Sequence, residues 1–210
     1  KAASIYYFLA KQGKIPYGDL EKFGKEIDGK IPYLGLAETN VPGVWVSGGS
    51  VGQGLSVAAG MAYAKKLGNS PGIIYCILSD GELDEGSVWE AARIANRHKL
   101  DNLVAIIDQN GWQALGRTQE VNGGDPKKIF EGFGWDVVEM NGNVMEDVVK
   151  GFAEAKSRTG KGKPVVILMK TEMGMGVDFM MGTHKWHGKS PNDDEFARAM
   201  AQLPATIGDF

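Results

Sequence analysis

Blocks of apolar residues alternate with polar segments between residues 73 and 113, and this pattern predicts a strand–helix–strand unit. Residues 73–78 are all apolar and stop abruptly at Ser79-Asp80-Gly81, as a buried strand does at its carboxyl end. Apolar positions then recur at helical spacing over 85–98, and residues 103–107 form a second apolar run. That run ends just before Asn110, so we expect Asp80 and Asn110 at equivalent ends of two neighbouring parallel strands.

The rest of the chain continues the alternation of strands and helices. Further strands are predicted at 135–140 and 164–170, and helices at 2–12, 18–23, 57–62, 126–133, 144–156 and 193–203. Segments 31–46 and 114–118 are predicted to be loops. The alternation predicts an α/β fold with a doubly wound, mainly parallel sheet flanked by helices, in one domain spanning 1–210.

Composition narrows the class of protein. The chain has 210 residues, a net charge of −3 and 43% hydrophobic residues, which excludes a disordered chain. It has no basic stripe and no apolar run of about twenty residues, so we expect neither a nucleic-acid nor a membrane partner. The single cysteine, Cys76, lies in an apolar strand and is expected to be buried. We expect a cytoplasmic protein, and, because the chain begins at Lys1 rather than Met, further residues before it.

The polar residues at the two strand ends point to a metal–phosphate site. A carboxylate and an amide oxygen are hard ligands, and Mg²⁺ completes its shell with oxygens from phosphate and water. Gly81 allows backbone to approach a phosphate, and the following helix directs its amino end to the same edge of the sheet. The alternative is that Asp80 caps a helix and Asn110-Gly111 forms a turn. Asp80 alone or Asn110 alone fits that alternative, whereas the occurrence of both at neighbouring strand ends favours the metal–phosphate site.

These residues carry a family resemblance. The segment 79–113 resembles the thiamine-diphosphate motif, a Gly-Asp-Gly followed about thirty residues later by Asn, in the form found in transketolases. Matching positions include Glu82, Glu85, Glu90 and the run 98–103. The resemblance implies the diphosphate-binding domain of the thiamine-diphosphate fold. Ser79 departs from it, because the family usually has Gly there.

Two further segments match transketolases and add site residues. The glycine-rich stretch 47–56 resembles the segment that lies against the cofactor's rings, which implies contacts from Gly49, Ser50 and Val51. The stretch 170–191 resembles KT-x-x-G-x-G followed by His-Gly. In the family that His contacts the diphosphate and the substrate's reacting end; His187 is the match and His184 the weaker candidate.

The resemblance assigns a role to each matched residue. Asp80, Asn110 and the backbone carbonyl of Trp112 are the expected ligands of Mg²⁺, for which Ca²⁺ or Mn²⁺ could substitute. Gly81, Glu82 and His187 join Asp80 and Asn110 as expected cofactor contacts. Glu85 and Glu90 match acids that link two active sites across an interface, and with His187 they form the expected catalytic set; an ordinary acidic first helical turn is the alternative for both glutamates.

The resemblance also implies what the chain does and what it lacks. It is similar to the amino-terminal subunit of split transketolases, which transfer a two-carbon ketol unit from a ketose phosphate to an aldose phosphate. No stretch resembles the pyrimidine-binding domain, so we expect a partner chain that carries it, in a heterotetramer. Residues 34–40 lack the His that contacts sugar in the family, so sugar recognition is expected to differ.

Three other functions are alternatives. Two are thiamine enzymes, a 1-deoxyxylulose-phosphate synthase and a 2-oxo acid dehydrogenase component. The third is a subunit that binds the cofactor without catalysis, an alternative raised by Ser79 and the missing His. A nicotinamide fold is disfavoured, because the glycines at 49, 52 and 54 do not have the G-x-G-x-x-G spacing.

Overall fold

Four parallel strands form the predicted sheet in a computed structural model that describes residues 2–203. The strands in chain order are β1 (Ile74–Ser79), β2 (Leu103–Gln109), β3 (Trp112–Gln113), β4 (Gly116–Arg117), β5 (Asp136–Asn141) and β6 (Val165–Lys170). The main sheet has the order β1-β2-β6-β5, and Ser79 lies opposite Asp108 in its register. The carboxyl ends of all four strands therefore lie at one edge, as the sequence predicts.

The described part of the chain has seven α-helices, and four of them cover the two faces of this sheet. The seven are α1 (Ala2–Lys11), α2 (Gly54–Leu67), α3 (Gly86–Arg97), α4 (Thr118–Val121), α5 (Pro126–Gly132), α6 (Met145–Arg158) and α7 (Asp193–Gln202), with short 3-10 turns at Tyr17–Lys22, Gly81–Asp84 and His184–Trp186. Side chains of α2, α3 and α5 share a buried cluster with Leu78, Ile107 and Leu168, whereas α6 packs with Ile106 and Ile167 on the opposite face. Because both faces are covered, the central strands are apolar over 103–107 and 165–169, and the doubly wound prediction is confirmed.

One local prediction is wrong. Residues 114–118 were expected to form a loop, but Gly116–Arg117 pairs antiparallel with Trp112–Gln113 as a small β3–β4 hairpin, and Thr118 begins α4. Each strand of the hairpin has only two residues, which is too short for an alternating pattern to reveal. The prediction that Cys76 is buried is confirmed.

The contacts of the chain group into two units, Lys1–Val51 and Gly52–Phe210. In the first unit α1 buries Tyr6 against Tyr33, whose ring lies edge-on at 5.2 Å, and the Tyr33 hydroxyl donates to Asp19 at 2.8 Å. The second unit contains the sheet and the helices α2 to α7. Within residues 2–203 no helix is long and apolar enough to cross a membrane. The expectation of one domain over 1–210 stays a prediction.

Candidate functional site

Asp80 is the centre of the polar network at the carboxyl edge of the sheet. Its side chain is 5% exposed, and no other charged side chain within residues 2–203 is buried. Burial raises the pKa of its carboxyl above the ordinary value, and hydrogen bonds from Gly111, Gly81 and Thr118 oppose that rise. A cation bound beside Asp80 would favour the charged carboxylate, which is the form that a metal site requires.

The carboxylate of Asp80 connects the end of β1 to both ends of the β3–β4 hairpin. The N–H of Gly81 donates to Oδ1 at 2.9 Å, and the N–H of Gly111 donates to Oδ2 at 2.7 Å. The hydroxyl of Thr118 donates to the same Oδ2 at 3.2 Å, and the Thr118 N–H donates to the Gly111 carbonyl at 3.1 Å. One side chain thus fixes where the hairpin begins and where it ends.

Asn110 lies at the start of the hairpin, next to the residue that Asp80 binds. Its side-chain Oδ1 accepts the N–H of Trp112 at 2.9 Å, which closes a tight turn at Gly111 with φ +76°. Asp80 also precedes a 3-10 turn and accepts the Gly81 N–H, so the cap and the turn of the alternative interpretation are both present. The Asp80–Gly111 bond is the additional feature, because it brings the two predicted ligand-bearing segments together.

The oxygens of this network suit a divalent cation. A carboxylate offers about four acceptor positions, of which three are used in Asp80, and the amide oxygen of Asn110 uses one of two. Together with the Trp112 carbonyl these are three hard oxygen ligands, which leaves room for phosphate and water around Mg²⁺. No group of three or more His, Cys, Asp or Glu side chains within residues 2–203 could hold a metal, as expected for a set with one carboxylate. The residues present therefore fit the predicted ion.

The side chains of Glu82 and Ser79 accept hydrogen bonds from backbone N–H groups near Asp80. Glu82 accepts the Gly52 N–H at 2.7 Å through Oε1 and the Ser79 N–H at 3.3 Å through Oε2. The Ser79 hydroxyl in turn accepts the Glu82 N–H at 3.3 Å. A Cβ at Gly81 would come within 2.9 Å of the Gln113 Cβ, so Gly81 allows close packing here. The serine that departs from the family pattern thus has a structural partner, and Glu82 holds the end of the glycine-rich segment.

The side chain of Trp112 carries two contacts at the hairpin. The guanidinium of Arg117 lies 4.6 Å from its ring centroid, and the ring of His184 lies at 5.9 Å with a tilt of 38°. His187 is exposed, and its backbone N–H donates to the His184 carbonyl at 2.9 Å. The structure thus brings His184 into direct contact with a predicted metal-binding residue and places His187 three residues further along the same loop.

The other predicted site residues are exposed and lie outside the Asp80 network. Glu85 precedes α3 without capping it through its side chain, and Glu90 lies on the surface of α3. Gly49, Ser50 and Val51 are exposed within the first unit. Their assignments as catalytic or cofactor-binding residues stay predictions.

A cavity of about 430 Å³ opens beside Asp80. Its lining includes Gly111, Thr118 and Lys170, none of which was predicted as a site residue. Gly52 was likewise not assigned to the site, although its N–H binds Glu82. Gly52 lies within the glycine-rich stretch 47–56, but no sequence pattern identifies its partner or that of Thr118, because each bond joins distant segments.

Comparison with known proteins places the chain in a family. Residues 3–206 match the model described as transketolase, thiamine diphosphate binding domain. The chain belongs to the transketolase family. It is 42% identical over 168 residues to a subunit of the apulose-4-phosphate transketolase of Phocaeicola vulgatus, covering 80% of this chain and 59% of that protein. It is 38% identical over 201 residues to 6-deoxy-6-sulfo-D-fructose transketolase subunit SqwG of a Clostridium species, covering 95% and 72%.

A solved transketolase shares the fold. The crystal structure of transketolase from Campylobacter jejuni superposes with a TM-score of 0.86 at 33% identity, over 96% of this chain but only 32% of that chain. This transketolase-family chain thus spans about a third of that enzyme and 59% of the relative from Phocaeicola vulgatus. The predicted fold class and family are confirmed.

Proposed function

We propose that this chain is the thiamine-diphosphate-binding, amino-terminal subunit of a split transketolase. The proposed reaction transfers a two-carbon ketol unit from a ketose phosphate to an aldose phosphate in the cytoplasm. Two relatives whose names describe them as transketolase subunits support the split arrangement, since they match most of this chain. The hydrogen bond from Gly111 to Asp80 is the single observation that carries the proposal, because it joins the two strand ends from which the ligands come.

In this proposal the edge of the sheet holds Mg²⁺ and the diphosphate. Asp80, Asn110 and the Trp112 carbonyl bind the ion, and Gly81 and Glu82 shape the backbone around the phosphates. Bound thiamine diphosphate supplies the carbanion chemistry. The chain's own residues hold the diphosphate, and Gly49, Ser50 and Val51 contact the rings.

Histidine in the loop after β6 serves the substrate end of the site. His187 carries the family's match, and His184 packs on Trp112 beside it. An imidazole there can donate a hydrogen bond to a phosphate oxygen or move a proton near neutral pH. Glu85 and Glu90 are exposed on or beside α3, as an acid that reaches a partner chain must be.

The proposed partner carries the pyrimidine-binding domain and supplies the glutamate that activates the cofactor. A complex of two copies of each chain would complete two sites. The relative from Phocaeicola vulgatus is named as one subunit of its transketolase, which supports a second polypeptide. The named relatives act on a phosphorylated and a sulfonated sugar, so we propose a donor with an anionic terminal group.

The test is an assay of the chain co-purified with its partner from the native source. We expect ketol transfer from a ketose phosphate that requires both thiamine diphosphate and Mg²⁺ and is lost on chelation of the metal. Asp80→Ala should abolish Mg²⁺-dependent cofactor binding in calorimetry. Asp136→Asn is the matched control, because Asp136 begins β5 at the opposite, amino edge of the sheet.

Each alternative predicts a different result in the same assay. Turnover of pyruvate rather than a ketose phosphate would indicate one of the other thiamine enzymes. Cofactor-dependent thermal stabilisation without turnover, in the presence of the partner, would indicate a non-catalytic subunit. Full activity of the chain with no second polypeptide would refute the split arrangement.

A further inference from the structure

Lys170 ends the central strand β6 at the same edge of the sheet as Asp80. In the register of β2 and β6 it lies opposite Gln109, the residue before Asn110. Strand β2 is the neighbour of both β1 and β6. Asp80 and Asn110 follow β1 and β2, and Lys170 ends β6, so all three residues lie at the carboxyl ends of adjacent strands. This is the edge where open α/β sheets bind ligands.

Strand geometry places Lys170 on the α2 and α3 face of the sheet, and one cavity has both Lys170 and Asp80 in its lining. Side chains alternate between faces, so residues two apart along a strand share a face. Leu168 belongs to the buried cluster on the α2 and α3 face, and Lys170 follows it two residues later in β6. Asp80 lies just beyond the end of β1 with φ −63° and ψ −38°, so the cavity rather than the alternation relates it to Lys170. The cavity of about 430 Å³ is lined by both residues, and Lys170 also lines the neighbouring cavity beside α6.

The ammonium of Lys170 has no carboxylate partner in the described part of the chain. Among the described residues it is the only cationic side chain that lines the cavity of about 430 Å³ beside Asp80, which we call the Asp80 cavity. Asp84, the other acid in the lining, accepts hydrogen bonds from Gln113 at 3.1 Å and Asn122 at 2.9 Å instead. Some lysines elsewhere are paired with carboxylates, as Lys127 is with Glu139 at 2.5 Å and Lys66 is with Asp101 at 2.8 Å. The positive charge at the cavity is therefore available to an anion.

We propose that Lys170 binds a phosphoryl oxygen of the cofactor's diphosphate and is a specificity-determining residue for that group. The inference rests on the proposed function and extends it to a residue outside the metal ligands. The positive charge of one Mg²⁺ is smaller than the combined negative charge of a diphosphate and the Asp80 carboxylate. Negative charge therefore remains at the edge of the sheet. A lysine ammonium is a compact point charge that pairs with phosphate from many directions.

The experiment compares Lys170→Met with Lys150→Met in the complex of the full chain and its co-purifying partner. Lys150 lies on α6 and lines the neighbouring cavity at the ends of β5 and β6, but not the Asp80 cavity. Calorimetry in Mg²⁺ measures the Kd of thiamine diphosphate, of thiamine and of inorganic pyrophosphate. We expect Lys170→Met to weaken thiamine diphosphate and pyrophosphate binding by roughly 10- to 100-fold, the usual effect of losing a hydrogen bond to a charged group. Thiamine binding should not change, and Lys150→Met should leave all three Kd values within about twofold of the wild type.

Distinct results separate this inference from the proposed function. Wild-type protein that binds no thiamine diphosphate would refute the function itself. Wild-type binding with an unchanged Kd in Lys170→Met would refute only the role of Lys170. A raised KM for the phosphorylated sugar with normal cofactor Kd would also overturn the assignment, because the anion would then belong to the substrate. Lys170→Arg, which keeps the charge, should restore most of the affinity, and circular dichroism confirms that each variant is folded.

Discussion

Substitution of Gly52 by alanine tests whether the glycine-rich segment is held as the structure shows. Gly52 is buried with φ +88°, a conformation that residues with a side chain rarely adopt. Its N–H donates to Glu82 at 2.7 Å, and its carbonyl accepts the Ser87 hydroxyl at 2.9 Å. A Cβ at this position would lie 2.6 Å from the Glu85 Cβ and 2.8 Å from the Ser87 Oγ. Both atoms are close to the backbone of their residues, so neither can move aside freely.

The magnitude follows from two separate costs. A left-handed conformation costs an L-residue about 1–2 kcal/mol, and overpacking a closed site costs about 1–3 kcal/mol. We therefore expect Gly52→Ala to lower the free energy of unfolding by about 2–5 kcal/mol. That is a large share of the ~5–15 kcal/mol that stabilises a typical domain.

Urea unfolding of the full chain, followed by circular dichroism, measures this change. Gly60→Ala is the matched control, because Gly60 is exposed in α2 and a Cβ there would meet no atom within 4 Å. Replacing a glycine inside a helix by alanine should stabilise the protein by about 0.5–1 kcal/mol. A loss below about 1 kcal/mol for Gly52→Ala, or equal effects of the two substitutions, would refute the reasoning.

Three further predictions concern the network and the buried thiol. Thr118→Val removes a hydroxyl that donates to Asp80 and should cost about 1 kcal/mol in urea unfolding, whereas Thr118→Ser should not; equal losses would contradict this role. Ser79→Gly removes the hydroxyl that accepts the Glu82 N–H at the end of β1 and should cost about 1 kcal/mol in urea unfolding while leaving the Kd of thiamine diphosphate unchanged; a large gain in affinity would show instead that the hydroxyl crowds the diphosphate. Burial raises the pKa of Cys76 from 9.0 to about 12, so native protein should resist iodoacetamide at pH 8, as followed by mass spectrometry. Because the folded pKa is the higher one, this thiol's contribution to stability should be complete below pH 9 and lost as pH rises towards 12; Cys76→Val should abolish that part of the pH dependence, and rapid alkylation of native protein would contradict the burial.

The sequence by itself determined the architecture and the edge of the sheet at which the candidate site is predicted. Apolar runs at 73–78 and 103–107 are long enough to be recognised as buried strands, and both strands form in parallel as neighbours. The order of a strand, a helix and a strand places their carboxyl ends at one edge, so Asp80 and Asn110 could be paired without coordinates. Periodicity also identified the buried face of α3, because Val88, Ala91, Ala92 and Ala95 are all enclosed.

Only the tertiary structure decided which groups those residues meet. The β3–β4 hairpin, the bond from Thr118 to Asp80 and the contact of His184 with Trp112 each join residues that periodicity does not relate. The hydrogen bond from the Gly52 N–H to the Glu82 carboxylate also joins residues that are thirty positions apart in the sequence. A hydrophobic pattern reports which side of an element is buried, since burial depends on the local period of the chain. It does not report which distant polar atom is in reach, because that depends on how separate elements pack together.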